Sequence, residues 1–128
     1  MLQKQTFVQI GDSTNGRWGQ TFHLYKGFFR KFTYNGLIIK VAIKKIKAPI
    51  KYYKGVRVKP LKKGQRRRGL INSTSWKKTR KCGFTYKLFQ NSILIFGKRK
   101  QFKGKKIINL SSRFNMKLKY LNILKEKI

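Results

Sequence analysis

Apolar and polar side chains alternate through much of the first two thirds of the chain, and period-two alternation marks strands with one buried face. The pattern is clearest over Leu37–Lys47. Ile39, Val41 and Ile43 fall on one side there, and Lys40, Ala42 and Lys44 on the other, so one face is core and the other carries cations. Gln5–Ile10 reads as a shorter strand, with Phe7 and Val8 as its β-formers. The run GDSTNG at 11–16 reads as a turn cluster in which Asp12 caps backbone amides. Gln20–Tyr25 alternates too, with Phe22 and Leu24 on one face and Thr21, His23 and Tyr25 on the other. Asn35-Gly36 is a strong turn dipeptide, and Ala48-Pro49 ends the long strand. Gly55–Leu61 resumes alternation, with Val56 and Val58 inward and Pro60 at its edge. Phe84–Phe89 and Ile93–Phe96 are expected to form a hairpin across Gln90-Asn91-Ser92, and Ile107–Leu110 a short strand.

Two stretches break the pattern with charge. Lys59–Gly69 (KPLKKGQRRRG) and Gly97–Lys106 (GKRKQFKGKK) read as basic loops, and 70–83 as polar and irregular, with Cys82 semi-buried. Near the C-terminus the period changes. Ser111 or Ser112 can cap a helix, and Leu118, Leu121 and Leu124 predict one over Arg113–Leu124, packed on the strands. About five to seven short strands with turn signals roughly every 8–12 residues indicate a mainly β fold, a small antiparallel β-barrel. We expect one domain, a barrel over about 1–110 followed by a helical segment over about 111–128.

Composition sharpens this into a statement about partners. Apolar residues make up 40% of the 128, enough for a core. Against 34 Lys and Arg stand two acids, Asp12 and Glu126, and the net charge is +32. Ion pairing within the chain is therefore nearly impossible, and the surface suits a polyanion whose condensed counterions it can release. The same inventory disfavours catalysis. His23 and Cys82 are each alone, and the two acids lie at opposite ends of the sequence, so no acid–base pair or metal cluster is expected, nor any cofactor. No apolar run approaches ~18 residues, so membrane insertion is not expected. The opening MLQKQTFVQIG has neither the apolar core of a signal peptide nor the Arg and Ser content of a transit peptide. The heavy use of Lys, Ile, Phe, Asn and Tyr fits an AT-rich coding sequence and synthesis inside an organelle.

The cations fall into three groups: Lys40, Lys44, Lys45 and Lys47; Lys59, Lys62, Lys63, Arg66, Arg67 and Arg68; and Lys98, Arg99, Lys100, Lys103, Lys105 and Lys106. Gly64, Gly69, Gly97 and Gly104 are placed to let backbone approach phosphate. Arginine grips phosphate bidentately, whereas lysine acts as a point charge. No recognition helix for a DNA major groove is visible, and several extended cationic loops suit folded RNA better. A nucleoid protein that compacts DNA and a membrane-surface-active basic protein are the rival readings of the same charge.

The residues also resemble a family. Met1-Leu2-Gln3 with Thr6 and Val8, the 11–16 turn, Gly36-Leu37-Ile38-Ile39-Lys40-Val41, Lys62-Lys63-Gly64 followed by Arg66-Arg67, and Phe89 to Ile95 are similar, in order and spacing, to the universal large-subunit ribosomal protein numbered fourteen. The resemblance implies a five-stranded β-barrel with short C-terminal helices and a structural, non-enzymatic role. It implies binding to large-subunit ribosomal RNA, with neighbouring ribosomal proteins and small-subunit ribosomal RNA across the interface as further partners. It puts Gly104-Lys105-Lys106 where the family carries a Gly-Thr-Arg segment, and so Lys105, Lys106 and Lys119 at the subunit interface. The threonine is not kept, which counts against binding of an anti-association silencing factor. Leu37 and Gln90 stand where the family usually has Asp, and residues 70–83 look like an altered insertion. That loss of acids points to an organellar ribosome, mitochondrial before plastid.

Overall fold

The computed structural model describes residues 1–27, 29–47, 60–97, 101–104 and 106–111. Five strands close into a barrel: β1 (Phe7–Ile10), β2 (Gly16–Leu24), β3 (Ile38–Ile46), β4 (Arg66–Ser73) and β7 (Ser92–Ile95). Two further short strands, β5 (Lys78–Thr79) and β6 (Thr85–Tyr86), form a separate hairpin between β4 and β7. Neighbouring barrel strands run antiparallel, except that β1 and β7 pair in parallel, Gln9 opposite Ser92 and Ile10 opposite Ile93. That seam departs from an all-antiparallel barrel, and it closes the sheet so that no barrel edge is left for foreign pairing. The expected helix over Arg113–Leu124 and the alternation at Val56 and Val58 lie outside the described residues.

The core follows the alternation read along β3. Ile39, Val41 and Ile43 are fully buried and meet Val8, Ile10, Leu24, Leu61, Ile71, Ile93 and Ile95 inside the barrel. Leu61 plugs one end, held by Asn15, whose amide accepts from the Leu61 N–H at 2.8 Å and donates to its carbonyl at 3.0 Å. A second cluster lies elsewhere, with Leu70, Leu94 and Phe96 under Ile38, Phe102 and Ile107. Phe96 and Phe102 stack at 4.8 Å. It covers β7 and the second half of β4 from outside, so Gly69 to Ser73 and all of β7 are buried on both faces.

Four features differ from those expected from the sequence. KPLKKGQRRRG is not a loop throughout: Lys62–Gln65 make a tight turn, and Arg66 to Gly69 already belong to β4, paired with Ala42 to Ile39. Nor is the start of 70–83 irregular, because Leu70 to Ser73 complete β4 in the core. Cys82, expected semi-buried, is exposed. Phe84–Phe89 and Ile93–Phe96 do not form one hairpin. Gly83, at φ 83°, reverses the chain so that Thr85–Tyr86 pair back onto Lys78–Thr79. Asn91 is occupied elsewhere, its side-chain oxygen accepting the Ser75 N–H at 2.9 Å. The apolar β7 gains more by pairing with β4 and β1, where it is buried on both sides.

On β2 the simple alternation fails at a bulge. Thr21 pairs with Val41 and His23 with Lys40, so Phe22 is an extra residue on that strand. Thr21 and Leu24 therefore both point inward, and Phe22 and His23 are both exposed.

Candidate nucleic-acid interface

The cations of β3 and β4 converge because the two strands pair in register. Lys40 stands opposite Arg68, and Ala42 opposite Arg66, on the outer face. Arg66 and Arg68 are exposed and Lys40 half-buried. Like charges placed directly across strands repel, and among the described residues the sole carboxylate is Asp12, which is buried. The small Ala42 leaves room between them. The bulge brings aromatic rings to the same face: Arg66 lies 5.9 Å from the centroid of Phe22, and the Lys40 ammonium 5.6 Å from that of Tyr25. His23 meets Tyr25 edge-on at 4.9 Å. His23 is a surface ring with no catalytic partner beside it among the described residues.

Lys62 and Lys63 ride on the turn before β4. Gly64, at φ 79°, makes that turn possible, and its N–H donates to the Ile43 carbonyl at 2.7 Å, which docks the turn beside Lys44. Lys44, Lys45 and Lys47 are exposed at the end of β3. Arg67 is placed differently. It faces Val41, a core position, is half-buried, and its Nε is buried without a hydrogen bond. The glycines divide as well. Gly64 is open, but a Cβ on Gly69 would meet the Leu94 carbonyl at 3.3 Å, and one on Gly104 would meet Asp12 Cβ at 2.7 Å. Those two serve packing instead of phosphate approach. Lys59, Lys98, Arg99, Lys100, Lys105 and Lys119 lie outside the described residues. Lys106 is exposed, and its backbone is tied to the 11–16 turn through Ser13.

Asp12 is the pivot of that turn. Its carboxylate accepts from the Thr14 amide at 3.0 Å, from the Thr14 hydroxyl, and from the Ile95 amide at 2.7 Å. The capping expected from the sequence is there, and it reaches across to β7. Burial pushes the Asp12 carboxyl above its usual range, with these hydrogen bonds and nearby Lys103 opposing the shift. Lys103 is lowered by burial and by Arg67, with Asp12 acting the other way.

The β5–β6 hairpin went unrecognised in the sequence. It presents Trp76, Phe84 and Phe89, exposed by 56%, 76% and 92%, among Lys77, Arg80, Lys81 and Lys87, all exposed. The Arg80 guanidinium lies 5.3 Å from the Tyr86 ring centroid. Interleaved cations and rings are the composition of single-strand nucleic-acid platforms. The signal was present in SWKKTRKCGFTYKLF, but the clusters nearer the middle of the chain hid it.

A small closed barrel that gathers cations and rings outside, and keeps its described carboxylate inside, has the build of a basic ribosomal β-barrel protein. The family model for ribosomal protein L14p/L23e matches residues 1–126, and the chain belongs to that family. It is accordingly a structural protein of the large ribosomal subunit, from a family that is not enzymatic.

Proposed function

We propose that the chain binds large-subunit ribosomal RNA through two surfaces. One is the outer face of β3 and β4 with the Lys62–Gln65 turn, and the other is the β5–β6 hairpin. The observation that carries this reading is the cross-strand pair Lys40–Arg68 beside Arg66, an uncompensated cationic face that a polyanion would relieve. Lys44, Lys45, Lys62 and Lys63 extend that face. Lys106, with Lys105 and Lys119, is proposed to face the small subunit and to contribute to an intersubunit bridge to its ribosomal RNA. Neighbouring large-subunit proteins are the other partners. The near-absence of acids and the Lys, Ile, Asn and Phe bias support an organellar ribosome, mitochondrial before plastid.

The test is incorporation into particles. Replacing Lys40, Lys62, Lys63, Arg66 and Arg68 together by alanine is expected to cut co-sedimentation with the large subunit at least tenfold. Three alanines at Lys4, Arg17 and Lys31, exposed and away from both surfaces, serve as the charge-matched control for a Lys40, Arg66 and Arg68 triple replacement. Equal loss in both sets would mean that net charge, not this face, directs binding.

A further inference from the structure

Neutralising phosphate needs only a convex cationic surface, yet the β2–β3–β4 face carries a groove of about 970 Å³. Phe22, Tyr25, Lys40, Arg66 and Arg68 line it, with Arg66 beside the Phe22 ring and Lys40 beside the Tyr25 ring, and Ile38 and Phe96 contribute apolar wall. Its size falls within the range of sites that enclose a small organic group. The β2 bulge is what turns the Phe22 ring outward beside His23, and bulges commonly re-aim a side chain next to a functional site. The Tyr25 hydroxyl, at the groove wall, is buried and makes no hydrogen bond among the described residues. Rings, an apolar wall, one unsatisfied hydroxyl and a cationic rim with no carboxylate match a nucleotide: a flat π-system to stack, a polar edge, and a phosphate on either side. An acidic peptide would satisfy the rim alone and would leave the rings uncovered.

We propose that this groove seats one unpaired base of the bound RNA. The base stacks on Phe22 and Tyr25, while Lys40, Arg66 and Arg68 hold the phosphates flanking it. The proposal rests on the RNA-binding reading of the same face and adds that the face takes an extruded base, not a continuous duplex.

The experiment uses the full chain and a short RNA carrying 2-aminopurine, presented once as a single strand and once paired in a duplex. With the wild-type protein the fluorescence of the unpaired analogue should fall severalfold on binding, and that of the paired analogue should not. In Phe22→Leu and Tyr25→Leu the ratio of single-strand to duplex affinity should drop about tenfold, the range of one base stacked on an aromatic ring. Circular dichroism checks that each variant folds. If one does not, the wild-type fluorescence comparison alone still decides. Steeply salt-dependent binding of both RNAs, with no fluorescence change and an unaltered affinity ratio, would refute the seat and leave the RNA reading standing. Failure to bind either RNA would remove both.

Discussion

Asp12 shows how much one residue can carry in a chain with so few acids. Its two oxygens satisfy the Thr14 and Ile95 amides, and Ser13 and Lys106 exchange hydrogen bonds beside it. Removing the carboxylate leaves the buried Ile95 N–H without an acceptor, at a cost of roughly 1–3 kcal/mol. Asp12→Ala should therefore lower unfolding stability by about 2–3 kcal/mol in urea titration, once the lost Thr14 cap is added. The pH dependence has the opposite sign to that of a paired carboxylate. Burial raises the folded pKa above the ordinary aspartate value, so the folded chain binds the proton more tightly than the unfolded one. The proton-linked part of the Asp12 contribution is then fully present below that value and is lost as pH rises through the raised pKa. Acidification from pH 6 to pH 4 should not lower the melting temperature of the wild type through this group, and Asp12→Asn should flatten the dependence. From the sequence Asp12 was legible as a turn cap. Its reach to Ile95 was not, because 83 positions separate the two and only barrel closure brings them together.

Among the elements, β3 was the easiest to read and β4 the hardest, while β7 was legible as a strand over Ile93–Phe96 but its partners were not. β3 has its core on one side and solvent on the other, so its residues alternate. β4 is buried on both sides from Gly69 to Ser73, and β7 throughout, so neither shows a period. The polar residues of LINS obscured β4 further. They are buried in a network, with Ser73 Oγ 2.6 Å from Ser92 Oγ and the Asn72 amide donating to Ser92 and to the Leu110 carbonyl. In a linear reading such a run looks like loop. Bulges at Phe22 and elsewhere on β2 shifted the facing of residues that strict alternation would assign. The hairpin is the element whose role is most open to experiment. Since Lys77, Arg80, Lys81 and Lys87 are exposed and outside the barrel, replacing all four by alanine should leave the melting temperature within about 1–2 °C, because exposed surface positions contribute little. The slope of log affinity for RNA against log salt should become shallower by about 3 if each of the four meets a phosphate.

At the scale of the whole molecule, charge and fold are arranged to work together. The barrel's inner core is aliphatic, the second cluster shields β7 and part of β4, and the exposed cations stand on the remaining faces and on the hairpin. Closure of five strands and membership of the L14p/L23e family agree with the resemblance visible in the sequence, where the evidence was the colinear order of several weak motifs. One of those motifs, Lys62-Lys63-Gly64 with Arg66-Arg67, spans a turn and the first residues of β4, so its cations are spread over two elements and Arg67 faces a core position. That stretch is thus one part of a cationic face built by strand pairing, which no single segment could reveal. This face and the hairpin are proposed to hold ribosomal RNA by displacing its counterions. The most direct test is the affinity of the purified chain for a large-subunit ribosomal RNA fragment between about 50 and 200 mM salt. With about eight phosphates neutralised, the log–log slope should be near −6. A slope near zero would mean that counterion displacement does not hold the RNA.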